Sequence, residues 1–262
     1  MSIMNNKKFL IIGGTGGIGK AMVQQLVATT ANKPVDNNDN VDHSIRVFAT
    51  YYSSVPDIEA ENLHWIKMDI CDEQSIEQGV EVIKQHSNHI DWVVNCVGLL
   101  HTEQAQPEKA LRQMETDFFL KNMQVNALAS MLIAKYVRPL LKNTQRSTDN
   151  PAIFATISAR VGSISDNQLG CWYSYRMSKA ALNMGMKNLS IEWSRSLKDT
   201  CVVVMQPGTV NTQLSAPFQA NVAEGHLFSP AYSAESLLEV LSTMSAEQTG
   251  SFVDWAGESI PW

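Results

Sequence analysis

Long apolar runs are missing from this chain of 262 residues. Phe9-Leu10-Ile11-Ile12 and Cys201-Val202-Val203-Val204-Met205 are typical of what there is, whereas a membrane span needs roughly 20 apolar residues in a row. The run behind Lys7-Lys8 is too short for a signal-peptide core and leads straight into glycines, so a soluble, cytoplasmic protein with no membrane partner is expected. A basic surplus is missing too. Lys and Arg number 20 against 26 Asp and Glu, a formal charge of −6; nucleic-acid surfaces need clustered cations, so no such partner is expected. Cys71, Cys96, Cys171 and Cys201 are scattered without a Cys-x-x-Cys pair, which reads as buried reduced thiols. His86 and His89 stand at helical spacing and read as a solvated helix face, with no metal site expected. Neither repeat, low-complexity tract nor linker is present, and 44% hydrophobic residues suffice for a substantial core, so residues 1–262 read as one domain.

What is present is a strand, a glycine loop and a helix in that order. Phe9 to Ile12 suits a strand buried on both faces. Gly13-Gly14-Thr15-Gly16-Gly17-Ile18-Gly19 follows, then a helical pattern through Ala21, Met22, Leu26 and Val27. This is the setting a dinucleotide-binding turn requires: glycines admit the pyrophosphate closely, and the helix N-terminus offers free N–H groups and a positive dipole end. Further strands are expected over 46–50, 63–68, 90–94, 153–157, 201–205 and 251–253, with helices over 107–138, after Tyr175 and over 233–244. The alternation predicts an α/β fold, a doubly wound parallel sheet of about seven strands flanked by helices. Ligands of such sheets bind at the carboxyl ends of the strands, where the order reverses. Residues 29–44 are polar and rich in turn formers, a surface insertion; residues 213–228 are irregular and suit a substrate lid.

A second absence bears on the cofactor. In dinucleotide folds a carboxylate near the end of the second strand holds the ribose 2′-OH and selects NAD. Here that strand runs into Tyr51-Tyr52-Ser53-Ser54, with no acid before Asp57. NADP(H) is therefore favoured over NAD(H), although no arginine replaces the acid and Lys20 is the nearest candidate cation. The proton chemistry points to Tyr175 and Lys179, four residues apart and so on one helix face. An ammonium beside a phenol lowers a pKa that is ordinarily about 10. Asp69, Asn95 and Ser158 stand at the carboxyl ends of three strands, beside the glycine loop. Asn126 lies in a helix, where a lone asparagine is usually a solvated or bridging residue.

These signals together resemble the short-chain dehydrogenase/reductase family over essentially the full length. The matching segments are the Gly13/Gly17/Gly19 turn, Asp69, Asn95-Cys96-Val97-Gly98, Asn126, Ser158, Tyr175 with Lys179, and Pro207-Gly208-Thr209. Val161-Gly162-Ser163-Ile164, Trp172-Tyr173-Ser174-Tyr175-Arg176 and Asp254-Trp255 are similar to its C-factor and sniffer-type carbonyl reductases. The resemblance implies a single Rossmann domain that moves a hydride between nicotinamide and a small-molecule carbonyl or alcohol. It implies Tyr175 as the general acid/base, Lys179 tuning it and holding the nicotinamide ribose, Ser158 bonding the substrate oxygen, and Asn126 holding a water between Lys179 and solvent. Gly13, Gly17, Ile18 and Gly19 would cradle the pyrophosphate, with Thr15 and Gly16 in the same turn. Asp69 and Ile70 would face the adenine, and Tyr51 stands at the adenosine end. Asn95, Val97 and Gly98 would follow along the cofactor, with Pro207, Gly208, Val210 and Thr212 toward the carboxamide. Cys171, Trp172 and Phe218 are candidates for the substrate wall beside Ser158.

Two positions depart from the family pattern: Ile12 replaces the usual threonine before the first glycine, and Cys96 replaces an asparagine. Pairing of the Asn126 and Tyr175 helices with copies of themselves would give a homodimer or homotetramer. An NAD(P)-binding signalling protein of C-factor type with little turnover is the alternative. A nucleotide-sugar epimerase would need more chain after residue 213, and a hydrolase would need a nucleophile elbow at Ser158.

Overall fold

The computed structural model describes residues 7–30, 46–143 and 146–262. Its central sheet has seven strands: β1 (Phe9–Ile12), β2 (Val47–Tyr51), β3 (Leu63–Lys67), β4 (Trp92–Asn95), β5 (Ala152–Ile157), β6 (Thr200–Gln206) and β7 (Ser251–Asp254). All neighbours pair in parallel, in the order β3-β2-β1-β4-β5-β6-β7. The chain moves outward one way from β1 and the other way from β4, so the order reverses between these two strands. This is the expected doubly wound Rossmann sheet.

Six α-helices cover it: α1 (Gly17–Thr30), α2 (Glu73–His86), α3 (Thr116–Asn122), α4 (Ala129–Val137), α5 (Tyr173–Ser196) and α6 (Pro230–Thr243). β1 shows why its sequence is apolar throughout. Leu10 and Ile12 enter one core with α2, α4 and α5, while Phe9 and Ile11 enter the other with α1 and α6. Alternate residues face opposite sides, and each large side chain fully buried stabilises by about 1.5–3 kcal/mol. Ile12 is one of them, which accounts for an aliphatic residue before the glycines. No helix among the described residues is long and apolar enough to cross a membrane.

Several boundaries differ from expectation. Helix α1 takes in Thr29 and Thr30, and the rest of the expected insertion lies outside the described residues. The segment expected as one helix from 107 to 138 begins instead with extended chain and a short 3₁₀ turn at Leu111–Gln113. Between α3 and α4 it widens into a π turn over Met123–Leu128. The 213–228 segment is less irregular than expected: it holds a 3₁₀ helix at Ala216–Asn221, and Leu227–Phe228 pairs in parallel with Thr209–Val210. Gly208 permits that ladder. Its φ is +77°, and a Cβ there would lie 2.5 Å from the Phe228 ring.

Candidate active site

The carboxyl ends of β1, β4, β5 and β6 bring the candidate residues to one edge. After β1 the chain turns at Gly13, whose N–H donates to Thr50 Oγ1 at 3.0 Å. Its φ is +81° and a Cβ would stand 2.6 Å from Val97 Cγ2, so the turn closes only without a side chain. Gly16 has a single neighbour within reach, the Gly13 carbonyl at 3.7 Å, and is open outward. On Gly17 a Cβ would meet Thr212, which brings the segment after β6 against the glycine turn. Thr15 and Ile18 are part-exposed in the same turn. This shape fits a dinucleotide: a glycine-rich backbone cradle, open outward at Gly16, leading into the N-terminus of α1.

Several cofactor candidates turn out to brace the cradle. Asn95 is buried; its Nδ2 donates to Ser130 Oγ at 2.8 Å and its Oδ1 accepts from the Val97 N–H at 3.1 Å. Asp69 uses Oδ1 to accept from the Cys71 N–H at 2.8 Å, while Ile70 is buried. Cys96 packs its sulfur 3.7 Å from Met22 Sδ under α1, and burial pushes its thiol up to about 12. An apolar-leaning residue suits that place, which explains the lost asparagine. Tyr51 packs edge-on against Trp65 with centroids 6.3 Å apart. Lys20 is not a free cation: its Nζ sits 2.5 Å from Asp57. Pro207 accepts from Ser233 Oγ at 2.9 Å and Val210 is buried.

The candidate proton-handling residues gather around helix α5 and the end of β5. Tyr175 and Lys179 lie in the first turns of α5, both buried, with Lys179 Nζ 5.8 Å from the Tyr175 ring centre. Lys179 donates to the Ile157 carbonyl at 2.9 Å. Burial decides both titrations. It pushes the ammonium down to about 7 and holds the phenol above its ordinary value. The expected lowering of Tyr175 by Lys179 is thus outweighed here by desolvation. A Cβ on Gly98 would come within 3.5 Å of Lys179 Nζ and 3.6 Å of Asn126 Oδ1, so the three meet.

Asn126, in the π turn, is 1% exposed and not solvated. Its Oδ1 accepts from the Leu99 N–H at 2.7 Å, and its Nδ2 donates to the Leu99 carbonyl at 2.8 Å and to Ser178 Oγ at 2.9 Å. Ser158 Oγ donates to Asn183 Oδ1 at 2.8 Å, and Asn183 Nδ2 donates in turn to the Gly162 carbonyl at 3.2 Å. Ser178 and Asn183 escaped the sequence reading, although both share a helix face with the Tyr175–Lys179 pair. Over this edge Trp172 lies 6.2 Å from Tyr175 and 4.9 Å from Phe218, between ring centres. His101, unforeseen, adds a ring 6.1 Å from Phe218. Cys171 is exposed rather than buried.

A model of the family described as short chain dehydrogenase matches residues 7–223. The chain belongs to this family. It is accordingly a nicotinamide-dependent oxidoreductase in the coarse sense that membership carries. Among curated relatives, the C-signal of Myxococcus xanthus is 28% identical over 153 residues, covering 58% of this chain and 84% of that protein. Among solved structures, carbonyl reductase Sniffer of D. melanogaster superposes with a TM-score of 0.78 at 21% identity, over 98% of this chain and 100% of that one. The NADPH-bound carbonyl reductase from chicken fatty liver gives 0.79 at 24%, over 98% and 95%. At these identities the structural likeness speaks for the fold alone.

Proposed function

We propose that this short-chain dehydrogenase is an NADP(H)-preferring carbonyl reductase with Tyr175 as its general acid/base. The observation that carries the reading is Lys179, 5.8 Å from the Tyr175 ring centre, bonded to the Ile157 carbonyl next to Ser158 and meeting Asn126 around Gly98, beside a glycine-rich cradle at the sheet edge where the strand order reverses. Gly13, Thr15, Gly16, Gly17, Ile18 and Gly19 would hold the pyrophosphate, and Lys179 the nicotinamide ribose. Tyr51, Asp69, Ile70, Val97 and Gly98 would line the adenosine path, with Asn95 as brace, and Pro207, Gly208, Val210 and Thr212 would border the carboxamide. The bound cofactor supplies the hydride.

In the reduction direction Tyr175 donates its proton to the substrate oxygen. Burial keeps the phenol protonated in the cofactor-free fold, so it enters this step as the acid. Ser158 shares the load by turning its hydroxyl from Asn183 to the oxygen. Lys179, poised near neutrality, passes a proton toward Tyr175. Asn126 acts differently from expectation: its amide is committed to Leu99 and Ser178, and it holds the Gly98–Leu99 backbone beside Lys179. Trp172, Phe218 and Cys171 form the substrate wall.

The missing acid after β2 supports NADP(H). An apolar face with exposed Leu120, Leu128, Met177, Met184 and Ile191 supports self-association into a homodimer or homotetramer through α3 to α5. The match to the C-signal keeps a signalling role as the second reading. A panel of aldehydes, ketones and quinones with NADPH tests the proposal. Turnover should appear in the wild type and fall by about 10²–10⁴-fold in Tyr175→Phe, the usual worth of a positioned acid, with NADPH affinity unchanged. Equal turnover in the variant would sink the assignment, and no turnover in either would favour signalling.

A further inference from the structure

Helix α5 carries Tyr175 and Lys179, yet its start is badly made by local standards. Its N-cap is Trp172, which has no side-chain acceptor, and its first turn holds no acidic residue. A helix N-terminus leaves several N–H groups without intrahelical partners, usually met by Ser, Thr, Asp or Asn at the cap. The approach is strained as well. Gly170, Cys171 and Trp172 have φ of +63°, +56° and +51°, the left-handed region in which Cys and Trp are uncommon. Such a turn persists only where surrounding contacts over-determine it.

Those contacts come from Glu108, 66 residues away in sequence. Its side chain is buried in the fold at 2% exposure. One carboxylate oxygen accepts from the Ser174 N–H at 3.1 Å, and the other from the Ser174 hydroxyl. Its main-chain carbonyl accepts from the Trp172 N–H at 2.5 Å. The next residue joins in, since the Lys109 carbonyl accepts from Cys171 Sγ at 3.3 Å. On the far side Arg176 Nε donates to the Gly170 carbonyl at 2.8 Å. A carboxylate here also faces the positive end of a 24-residue helix.

We propose that Glu108 is a positioning residue for the substrate side of the site: it supplies from a distance the cap that Trp172 cannot, and so fixes the Trp172 ring over Tyr175. The proposal rests on the carbonyl-reductase reading for its effect on turnover, but not for the clamp itself. Glu108 touches neither the glycine turn nor Lys179, so its loss should fall on substrate binding. It is a specificity element: with the turn released, the wall formed by Trp172 and Phe218 no longer has one shape.

Hydrogen exchange of the free protein tests the clamp without any reaction. In Glu108→Ala the amides of Trp172 and Ser174 should exchange at least about tenfold faster, while those of α1 stay unchanged, as local opening predicts. KM for a carbonyl substrate should rise about tenfold, with kcat within about threefold and NADPH affinity within about twofold, a loss of substrate positioning alone. Glu108→Gln should restore most of both, because its amide can accept from the Ser174 N–H and donate to a reversed Ser174 hydroxyl. Ser174→Ala, a smaller change, should give an intermediate exchange rate and decides the matter if Glu108→Ala does not fold. Unchanged exchange at Trp172 and Ser174 would overturn the clamp. Faster exchange with KM unmoved, or with NADPH affinity falling in step, would overturn its role on the substrate side. If the wild type reduces no carbonyl compound, the functional reading fails while the exchange result still decides whether Glu108 holds the turn.

Discussion

The two halves of the site are built on different principles. The cofactor side is made of backbone that follows directly from strand ends: a glycine turn after β1, Asn95 closing β4, and Gly208 after β6. Its turns are announced by glycines in the local sequence, although Thr50, Val97 and Thr212 pack against them from other strand ends. The substrate side is assembled from segments distant in sequence. Glu108, His101, Trp172 and Phe218 meet there through ring contacts and caps that no neighbouring residue specifies. A family can therefore keep the first half as a pattern while varying the second. Cofactor class is legible from sequence here, and the substrate is not.

Perturbation should separate the halves, beginning with charge. Lys179 is driven down to about 7 in the fold, whereas the unfolded chain keeps its proton to an ordinary lysine value. Between about pH 7 and the ordinary cysteine range the unfolded state binds more protons, so stability should rise with pH, by at most about 1.4 kcal/mol per pH unit from Lys179. Above the ordinary cysteine range the sign reverses: Cys96 and Cys201, pushed up to about 12 by burial, and then Tyr175, also raised by burial, keep protons that the unfolded chain has lost. Thermal unfolding of cofactor-free Lys179→Met should lack the rise above pH 7; an unaltered slope would mean that the ammonium stays charged. On the cofactor side Gly13→Ala forces φ of +81° on a side chain that meets Val97. The strain should be about 1–3 kcal/mol, seen as roughly 10–100-fold weaker NADPH binding in a fluorescence titration. If KM for the carbonyl rises instead, the two halves are not separable.

The sheet, the glycine turn and the Tyr175–Lys179 pair were readable because each is a short-range pattern. Four apolar residues before glycines can hardly be anything but a buried strand entering a turn. What escaped is what long-range contacts decide. Residues 107–110 precede an apolar spacing from Leu111 onward that looks helical, but the Glu108 carbonyl is taken by Trp172 and Ala110 is extended. The left-handed turn at Cys171 and Trp172 has no glycine to announce it at those two positions. The Leu227–Phe228 ladder is two residues long, too short for any periodicity. From sequence Asn126 is either solvated or bridging; it bridges, and its partner, the Leu99 backbone, lies 27 residues back.

A smaller effect is expected from the lid. Phe218 touches Trp172 and His101 by ring contacts alone, and such pairs contribute about 0.5–1.5 kcal/mol beyond area burial. Phe218→Ala should change KM by up to about tenfold, with NADPH affinity unmoved. A fall in NADPH affinity would show that the 3₁₀ helix at Ala216–Asn221 closes on the cofactor through Thr212 as much as on the substrate.

The smallest effect bears on a charge pair at the edge of the proposed cofactor half. Lys20 and Asp57 lie 2.5 Å apart with side chains 36% and 65% exposed. Exposed pairs of this kind are screened by solvent and contribute little, so Asp57→Asn should leave stability almost unchanged. Its consequence is electrostatic: the lysine loses its counter-ion while staying beside the glycine turn. If Lys20 reads a 2′-phosphate, freeing it should tighten NADPH by up to about fivefold and leave NADH unmoved, the difference shrinking in high salt. Tighter binding of both cofactors would assign Lys20 to the pyrophosphate that they share. No change in either would remove Lys20 from cofactor choice and leave any NADP(H) preference to the end of β2, at Tyr51 to Ser54, where the acid that selects NAD is missing.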